Sequence, residues 1–190
     1  MRSMALGITL LLGSTTAVMA QTSYGGDAAL TYHWIRTNAP PSGGCGCFDL
    51  NGGGVSGSWN LNHRWAIAAE ISTEHTGSVL STGSSLTLTS YQAGARYYLS
   101  QLRKHTSHGP QPFAQVLAGT AHADGRGAGD GDGSYAFAIR MGGGIDVPVN
   151  SVFAVRVIQI DYDLTKFANG VNHRQNNLLL GAGVVFRWSR

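Results

Sequence analysis

The sequence predicts an all-β protein, an eight-stranded antiparallel up-and-down transmembrane β-barrel. First, apolar and other side chains alternate in about eight segments with the two-residue period of a strand. Second, the last segment, 176–188, is longer than the ~5–6 residues of an ordinary strand and suits a tilted membrane-crossing strand. Third, charged residues make up only 12% of the chain, about half of the ~25% usual in soluble domains.

Residues 1–20 have the pattern of a secretory signal peptide. Arg2 precedes an apolar run at 4–12, and small residues close the segment at 17–20. The run is too short to cross a bilayer as a helix. We therefore expect cleavage after Ala20, which leaves 21–190 as a single outer-membrane barrel domain.

The first three strands are predicted at 28–38, 55–62 and 65–74. Their apolar faces carry, in order, Leu30, Tyr32 and Trp34; Val55, Gly57, Trp59 and Leu61; and Trp65, Ile67, Ala69 and Ile71. Successive side chains point to opposite sides of a strand, so each of these segments has one apolar side. A loop dense in turn residues is predicted at 39–54, and a tight turn at 63–64.

The next strands are predicted at 86–100, 112–122, 134–146 and 151–162, followed by the closing strand 176–188. In the closing strand one face is wholly apolar: Leu178, Leu180, Ala182, Val184, Phe186 and Trp188. The pattern leaves the phase of strands five and seven open. Leu86 and Leu88 break the alternation of strand four, which suggests a bulge or a later start.

The connections alternate in length, as in small outer-membrane barrels. Long loops follow strands one, three, five and seven, whereas the turns at 63–64 and 147–150 are short. Short turns on the periplasmic side and longer loops on the outer side are typical of such barrels. The connection at 101–110 is longer than this pattern predicts.

The few charged residues on the strands decide between a membrane barrel and a soluble lipocalin-like barrel. A water-facing wall of Ala, Gly, Ser, Thr and Asn would be poorly soluble, but the same residues fit inside a narrow eight-stranded barrel. Buried charges must be paired, so we predict a lumen ion-pair cluster. Its members are Glu70, Arg96, Arg140 and Arg156. Asp146 or Asp161 could balance the excess of Arg only if strand seven bulges or the pair lies near a rim.

Four segments carry a resemblance to a known family. DYDLTKF at 161–167, NNLLLGAGVVFRW at 176–188, GARYYL at 94–99 and PFAQ at 112–115 resemble the bacterial OmpA-like or porin-like outer-membrane β-barrel family. The resemblance implies a barrel in the bacterial outer membrane, in contact with outer-membrane lipid and recognised by the barrel assembly machinery. It implies no ligand.

The candidate chemical groups are few. Cys45 and Cys47 lie in a predicted outer loop, where a strained and labile disulfide is chemically allowed. Carboxylates at Asp124, Asp130 and Asp132 lack the later bidentate acid of a calcium loop. We therefore expect no metal and no cofactor. The formal net charge of +3 is scattered, so no nucleic-acid partner is expected.

The sequence predicts a non-enzymatic outer-membrane protein with a narrow or plugged polar lumen. Its role would be structural, or a surface interaction with an unknown extracellular partner; the alternative is a small passive pore. A lipid-modifying enzyme would need a Ser activated by a His and an acid. His75, Ser78 and Glu74 fall in a segment with no fixed geometry. The His and Ser of 105–107 fall in a periplasmic turn, on the wrong side for outer-leaflet lipid.

Overall fold

A computed structural model of the chain forms a closed antiparallel barrel of eight strands. It describes residues 25–38, 47–79, 84–100, 109–126, 133–167 and 173–188. The strands are β1 (Gly26–Asn38), β2 (Cys47–Asn60), β3 (Trp65–Thr76), β4 (Ser85–Tyr98), β5 (Gln111–Arg126), β6 (Ser134–Pro148), β7 (Phe153–Thr165) and β8 (Gln175–Trp188). Each strand pairs with its neighbours in sequence, and β1 pairs with β8 to close the barrel. The predicted fold class is confirmed. The signal peptide at 1–20 lies outside the described residues and stays a prediction.

The apolar side chains point outward, as the sequence predicts. On β8, Val184 and Phe186 are about half exposed, whereas Val185 between them and Leu179 on the same inward face are buried. Trp59, Ile67 and Phe137 also face outward. A lipocalin has the reverse arrangement, with apolar residues inside and charges on the water-facing wall. The outer surface of this barrel therefore suits contact with lipid.

Two strands extend into segments that composition predicts as loops. β2 begins at Cys47 rather than 55, and β5 continues to Arg126. The glycines at 52–54 are paired with both β1 and β3. A Cβ at Gly52 would overlap the Thr73 carbonyl oxygen, so glycine here allows a close approach of two strands rather than a turn.

A bulge in β7 explains why the sequence leaves the phase of this strand open. Arg156 pairs with Asp146 on β6, and the register shifts before Gln159. Val157 and Ile158 both face outward as a result. Inward positions are even-numbered before this bulge and odd-numbered after it, so no single two-residue period fits the strand.

The predicted bulge or later start in β4 is wrong. The pairing of β4 with β3 and β5 is continuous, and β4 begins at Ser85. Leu88 is buried and Leu86 partly buried because both face the lumen, where they pack against other apolar residues. The alternation breaks because the lumen itself is apolar at this height.

Two of the short turns are held by the same kind of hydrogen bond, from two backbone N–H groups to an asparagine side chain. The Asn62 Oδ1 accepts hydrogen bonds from the backbone N–H groups of Arg64 and Trp65 at 2.8 and 2.9 Å. The Asn150 Oδ1 accepts the equivalent bonds from Val152 and Phe153, both at 2.8 Å. The second turn lies two residues later than predicted, because Val147 and Pro148 still pair with β7. Among the described residues, no helix is long and apolar enough to cross a membrane.

Candidate functional site

The interior of the barrel is the candidate site, and its side chains form three layers. The turn-side layer, near the short turns, contains Asp27, Arg96, Phe113, Asp146 and Arg156. The middle layer contains His33, Glu70, Glu74, Arg140, Asp161 and Asp163. The loop-side layer, near the long loops, contains Ile35, Phe48, Leu50, Leu88 and Leu179. All of these residues are buried.

The turn-side layer is a stack of two guanidinium groups on one aromatic ring. The Phe113 ring centroid lies 4.5 Å from the Arg96 Cζ and 4.6 Å from the Arg156 Cζ. Arg156 donates two hydrogen bonds to Asp146, at 2.8 and 3.1 Å. Arg96 donates to Asp27 at 3.2 Å. Each charge has an opposite partner and an aromatic face, which offsets the cost of its burial.

Arg140 links two carboxylates across the middle layer. Its Nη2 donates to the Asp163 Oδ2 at 2.8 Å, and its Nη1 donates to the Glu70 Oε1. These three residues come from β6, β7 and β3, so the bridge joins opposite walls of the barrel. Asp161 lies beside this bridge and accepts hydrogen bonds from the side-chain amides of Gln115 and Gln159.

A second hydrogen-bonded chain in the middle layer runs through His33. The His33 Nδ1 lies 2.9 Å from the Glu74 Oε1, and its Nε2 lies 2.7 Å from the Thr31 Oγ1. This order of hydroxyl, imidazole and carboxylate resembles that of a catalytic triad. All three side chains are buried, however, so a substrate cannot reach the hydroxyl.

The predicted cluster is distributed over two layers. Glu70 and Arg140 are brought together, whereas Arg96 and Arg156 bond to Asp27 and Asp146 in the turn-side layer. The bulge in β7 is what places Arg156 opposite Asp146.

Sequence reasoning missed the carboxylates at Asp27 and Asp163 and the imidazole of His33 as lumen groups. Asp27 has the same parity as Thr31 and His33 but lies one residue before the predicted start of strand one. That parity is the signal that could have identified Asp27.

The other groups that the sequence offers for catalysis or redox chemistry are not brought together in the described residues. Glu74 faces the lumen, whereas His75 faces outward and lies 3.0 Å from the Thr87 Oγ1, because neighbours on a strand point to opposite sides. The hypothetical triad with Ser78 is therefore excluded. Cys47 begins β2, while Cys45 lies outside the described residues, so their disulfide stays a prediction.

The remaining predicted groups are only partly described. Asp124 is exposed at the end of β5, and Asp130, Asp132 and 105–107 lie outside the described residues. No group of three or more His, Cys, Asp or Glu side chains in the described part of the chain could hold a metal ion.

The loop-side layer closes the lumen with apolar side chains. Ile35, Leu50 and Leu179 are at most 1% exposed, and Val79 and Phe167 pack against the layer from the loop end. A file of ions or polar solutes would lose its hydration here without gaining polar partners. The charged layers below it contain guanidinium groups that solvent does not reach.

Comparisons with known proteins agree with this geometry. The model of the family described as "Outer membrane protein beta-barrel domain" matches residues 6–186. Neisserial surface protein A is 14% identical, with a TM-score of 0.61, over 88% of this chain and 100% of that one. No curated protein matches the chain significantly.

Two further solved structures share the barrel. Ail, the attachment invasion locus protein of Yersinia pestis, in complex with the heparin analogue sucrose octasulfate, is 15% identical, with a TM-score of 0.52, over 86% of this chain and 99% of that one. The N-terminal β-barrel domain of Pseudomonas aeruginosa OprF is 18% identical, with a TM-score of 0.50, over 87% and 99%. At these identities the similarity shows the fold alone.

Proposed function

Because this chain belongs to the outer-membrane protein β-barrel domain family and lies in the bacterial outer membrane, we propose that it is a non-conducting barrel that acts through its outer surface. The role is a structural one or an interaction with an extracellular partner, without catalysis. The observation that carries this proposal is the filled lumen. Three guanidinium groups and an apolar layer occupy it, and none of the three arginines is exposed to solvent.

Conductance across a planar bilayer tests this proposal against a small passive pore. The folded barrel is inserted at matched protein amounts beside a general porin as a positive control. We expect no steady channel steps from this protein, because water and ions meet both an apolar layer and fixed ion pairs. Steady open-channel steps from protein shown to be folded would refute the closed barrel and support the passive pore.

The buried Thr31, His33 and Glu74 support a structural rather than a catalytic reading of the lumen. Incubation of the folded barrel with lipopolysaccharide tests this directly. Release of fatty acid above that from heat-denatured protein would contradict the absence of enzymatic activity.

A surface interaction is the finer part of the proposal. Ail carries attachment in its name and forms a complex with a heparin analogue, which motivates heparin as the probe. In this chain, exposed Lys166 and Arg174 lie at the loop end of β7 and β8. We expect cells that display the barrel to adhere to immobilised heparin more than cells without it, and Lys166→Gln with Arg174→Gln to reduce adhesion.

Arg64→Gln is the matched control for that test, because Arg64 is exposed at the opposite end of the barrel. Equal adhesion with and without the protein would overturn heparin-like attachment. Equal losses from both kinds of variant would show a non-specific charge effect and contradict a role for this outer end.

Export and assembly complete the proposal. The pattern at 1–20 supports passage across the inner membrane, and the barrel assembly machinery would insert the mature chain. N-terminal sequencing of the protein from outer membranes tests the first step. A mature chain that does not begin at Gln21 would contradict the expected cleavage site.

A further inference from the structure

The middle layer contains more negative than positive charge. Its four carboxylates belong to Glu70, Glu74, Asp161 and Asp163, and each of these residues is at most 3% exposed. Its cations are Arg140 and, when protonated, His33. With all four carboxylates ionised, the excess is therefore two or three negative charges, depending on the protonation of His33. By contrast, the turn-side layer has two carboxylates and two guanidinium groups and is balanced.

A buried excess of this size requires compensation. An unpaired carboxylate in a low-dielectric interior costs several kcal/mol, and direct partners lower that cost only where the geometry brings a cation to the oxygen. The second oxygens of Glu70 and Glu74 accept no hydrogen bond within the described residues. The fold thus concentrates uncompensated charge at one height in the barrel.

The same height has a wall of unpartnered oxygen atoms. Six lumen oxygens on β2, β3 and β4 have no hydrogen-bond partner among the residues that the structure describes. They are Ser56 Oγ, Glu70 Oε2, Ser72 Oγ, Glu74 Oε2, Ser90 Oγ and Gln92 Oε1. Their residues are at most 4% exposed. Buried polar atoms are normally satisfied, so a cluster of six points to a ligand.

The strand register makes these oxygens neighbours. Glu70 pairs directly with Ser56 on one side and with Gln92 on the other, and Ser72 pairs with Ser90 in the next inward row. Side chains of directly paired residues have Cβ atoms about 4.5–5.5 Å apart. Glu70, Ser72, Ser90 and Gln92 therefore form one compact patch on β3 and β4, to which Glu74 is adjacent by one inward row and Ser56 by one strand.

We propose that this patch binds one hard divalent cation of the Ca²⁺ type. Ca²⁺ takes about 6–8 oxygen ligands in flexible geometry, waters among them, and the carboxylate, hydroxyl and amide oxygens of Glu70, Ser72, Ser90 and Gln92 are the protein donors that one ion can share. Two positive charges offset the minimum excess of the layer. Since the apolar layer lies above and the Phe113 stack below, the ion enters while the barrel folds and is retained afterwards.

The first test measures the retained ion. The full chain is refolded into detergent micelles with Ca²⁺, washed with EDTA, and analysed for metal and protein. We expect one Ca²⁺ per folded chain. We expect none in protein refolded with EDTA throughout, and a lower thermal midpoint for that sample on a detergent gel, because a ligand bound only to the folded state stabilises it.

The second test removes ligands without removing charge. In Ser72→Ala with Ser90→Ala, we expect loss of retained Ca²⁺ and loss of the Ca²⁺-dependent rise in midpoint. Ser56→Ala alone should reduce the retained Ca²⁺ and the Ca²⁺-dependent rise in midpoint by less than the double variant does. Thr73→Ala is the matched control, since Thr73 is next to Ser72 on β3 but faces outward.

The serine variants also separate the proposal from its rivals. If ordered water alone satisfies these hydroxyls, removing them would be neutral or slightly stabilising in both conditions, and no metal would be found. That result would overturn the proposal. Retained Ca²⁺ that is unchanged in the serine variants would place the ion elsewhere and overturn it too. A rise in the thermal midpoint with Na⁺ in the absence of Ca²⁺, equal to the rise with Ca²⁺, would overturn the assignment of a divalent ion.

Discussion

Replacing Arg140 with methionine should destabilise the barrel severely, because it orphans two buried carboxylates. Arg140 is fully buried and donates charge-assisted hydrogen bonds to Glu70 and Asp163. Each hydrogen bond to a charged group contributes about 1.5–3 kcal/mol, so two give about 3–6 kcal/mol. Removal of one partner from a buried pair costs about 3–5 kcal/mol, which agrees with that range. We expect Arg140→Met to lower the free energy of unfolding by about 4 kcal/mol.

Urea unfolding in detergent micelles measures this change, followed by tryptophan fluorescence and by mobility of unheated protein on a detergent gel. The matched control is Arg36→Met, which breaks an outward-facing pair with Asp49 whose side chains are 47% and 40% exposed. That change should cost about 0–1 kcal/mol. Adding Glu70→Gln and Asp163→Asn to Arg140→Met should restore part of the loss. If Arg140→Met and Arg36→Met cost the same, the ion-pair account of the lumen is wrong.

Three further predictions concern other parts of the barrel. Val184→Arg, near the middle of the outward face of β8, should cost about 2–4 kcal/mol in lipid vesicles, whereas Val149→Arg in the short turn should be nearly neutral in the same unfolding assay. Phe113→Leu should cost about 1–2 kcal/mol because the ring is lost from between Arg96 and Arg156; a cost no larger than that of Phe48→Leu in the apolar loop-side layer would argue against the stack. Deletion of Val157 should preserve heat-resistant mobility on a gel, because Asp146 pairs with Arg156 and Ile145 with Ile158, so the deletion removes only the extra residue of the bulge and leaves both pairs in register; loss of that mobility would show that the bulge itself is required.

The fold is largely predictable from the sequence because one physical rule governs the outer wall. Lipid requires an apolar side chain at every second position, and Leu178, Val184 and Phe186 obey that rule throughout β8. Strand boundaries were less predictable. The glycines before Val55 have loop composition, yet they lie inside β2, because close strand packing and a turn both favour residues without a Cβ.

The sequence predicts that charged side chains face the lumen, but not which of them pair. That Glu70 and Arg140 face inward follows from alternation, but their partnership joins β3 to β6 across the barrel, 70 positions apart in the chain. Arg96 and Asp27 similarly join β4 to β1. Such pairs depend on strand tilt, register and the bulge in β7, none of which is encoded in a local pattern. Sequence reasoning missed the apolar loop-side layer because it expected every inward residue of β4 to be polar. Leu88 faces inward and is apolar, so it looked like a break in the pattern.

The most direct test of the account is the accessibility of spin labels along β8 in lipid vesicles. Single cysteines replace the residues from Leu178 to Val185 in turn except Gly183, where a Cβ would overlap the Leu30 carbonyl oxygen, in a background with Cys45→Ser and Cys47→Ser. Labels at even-numbered positions should collide with oxygen dissolved in the bilayer, and labels at odd-numbered positions should be shielded from both oxygen and a water-soluble nickel complex. Odd positions that are open to the nickel complex would contradict the closed lumen, and even positions that are shielded from oxygen would contradict the lipid-facing wall.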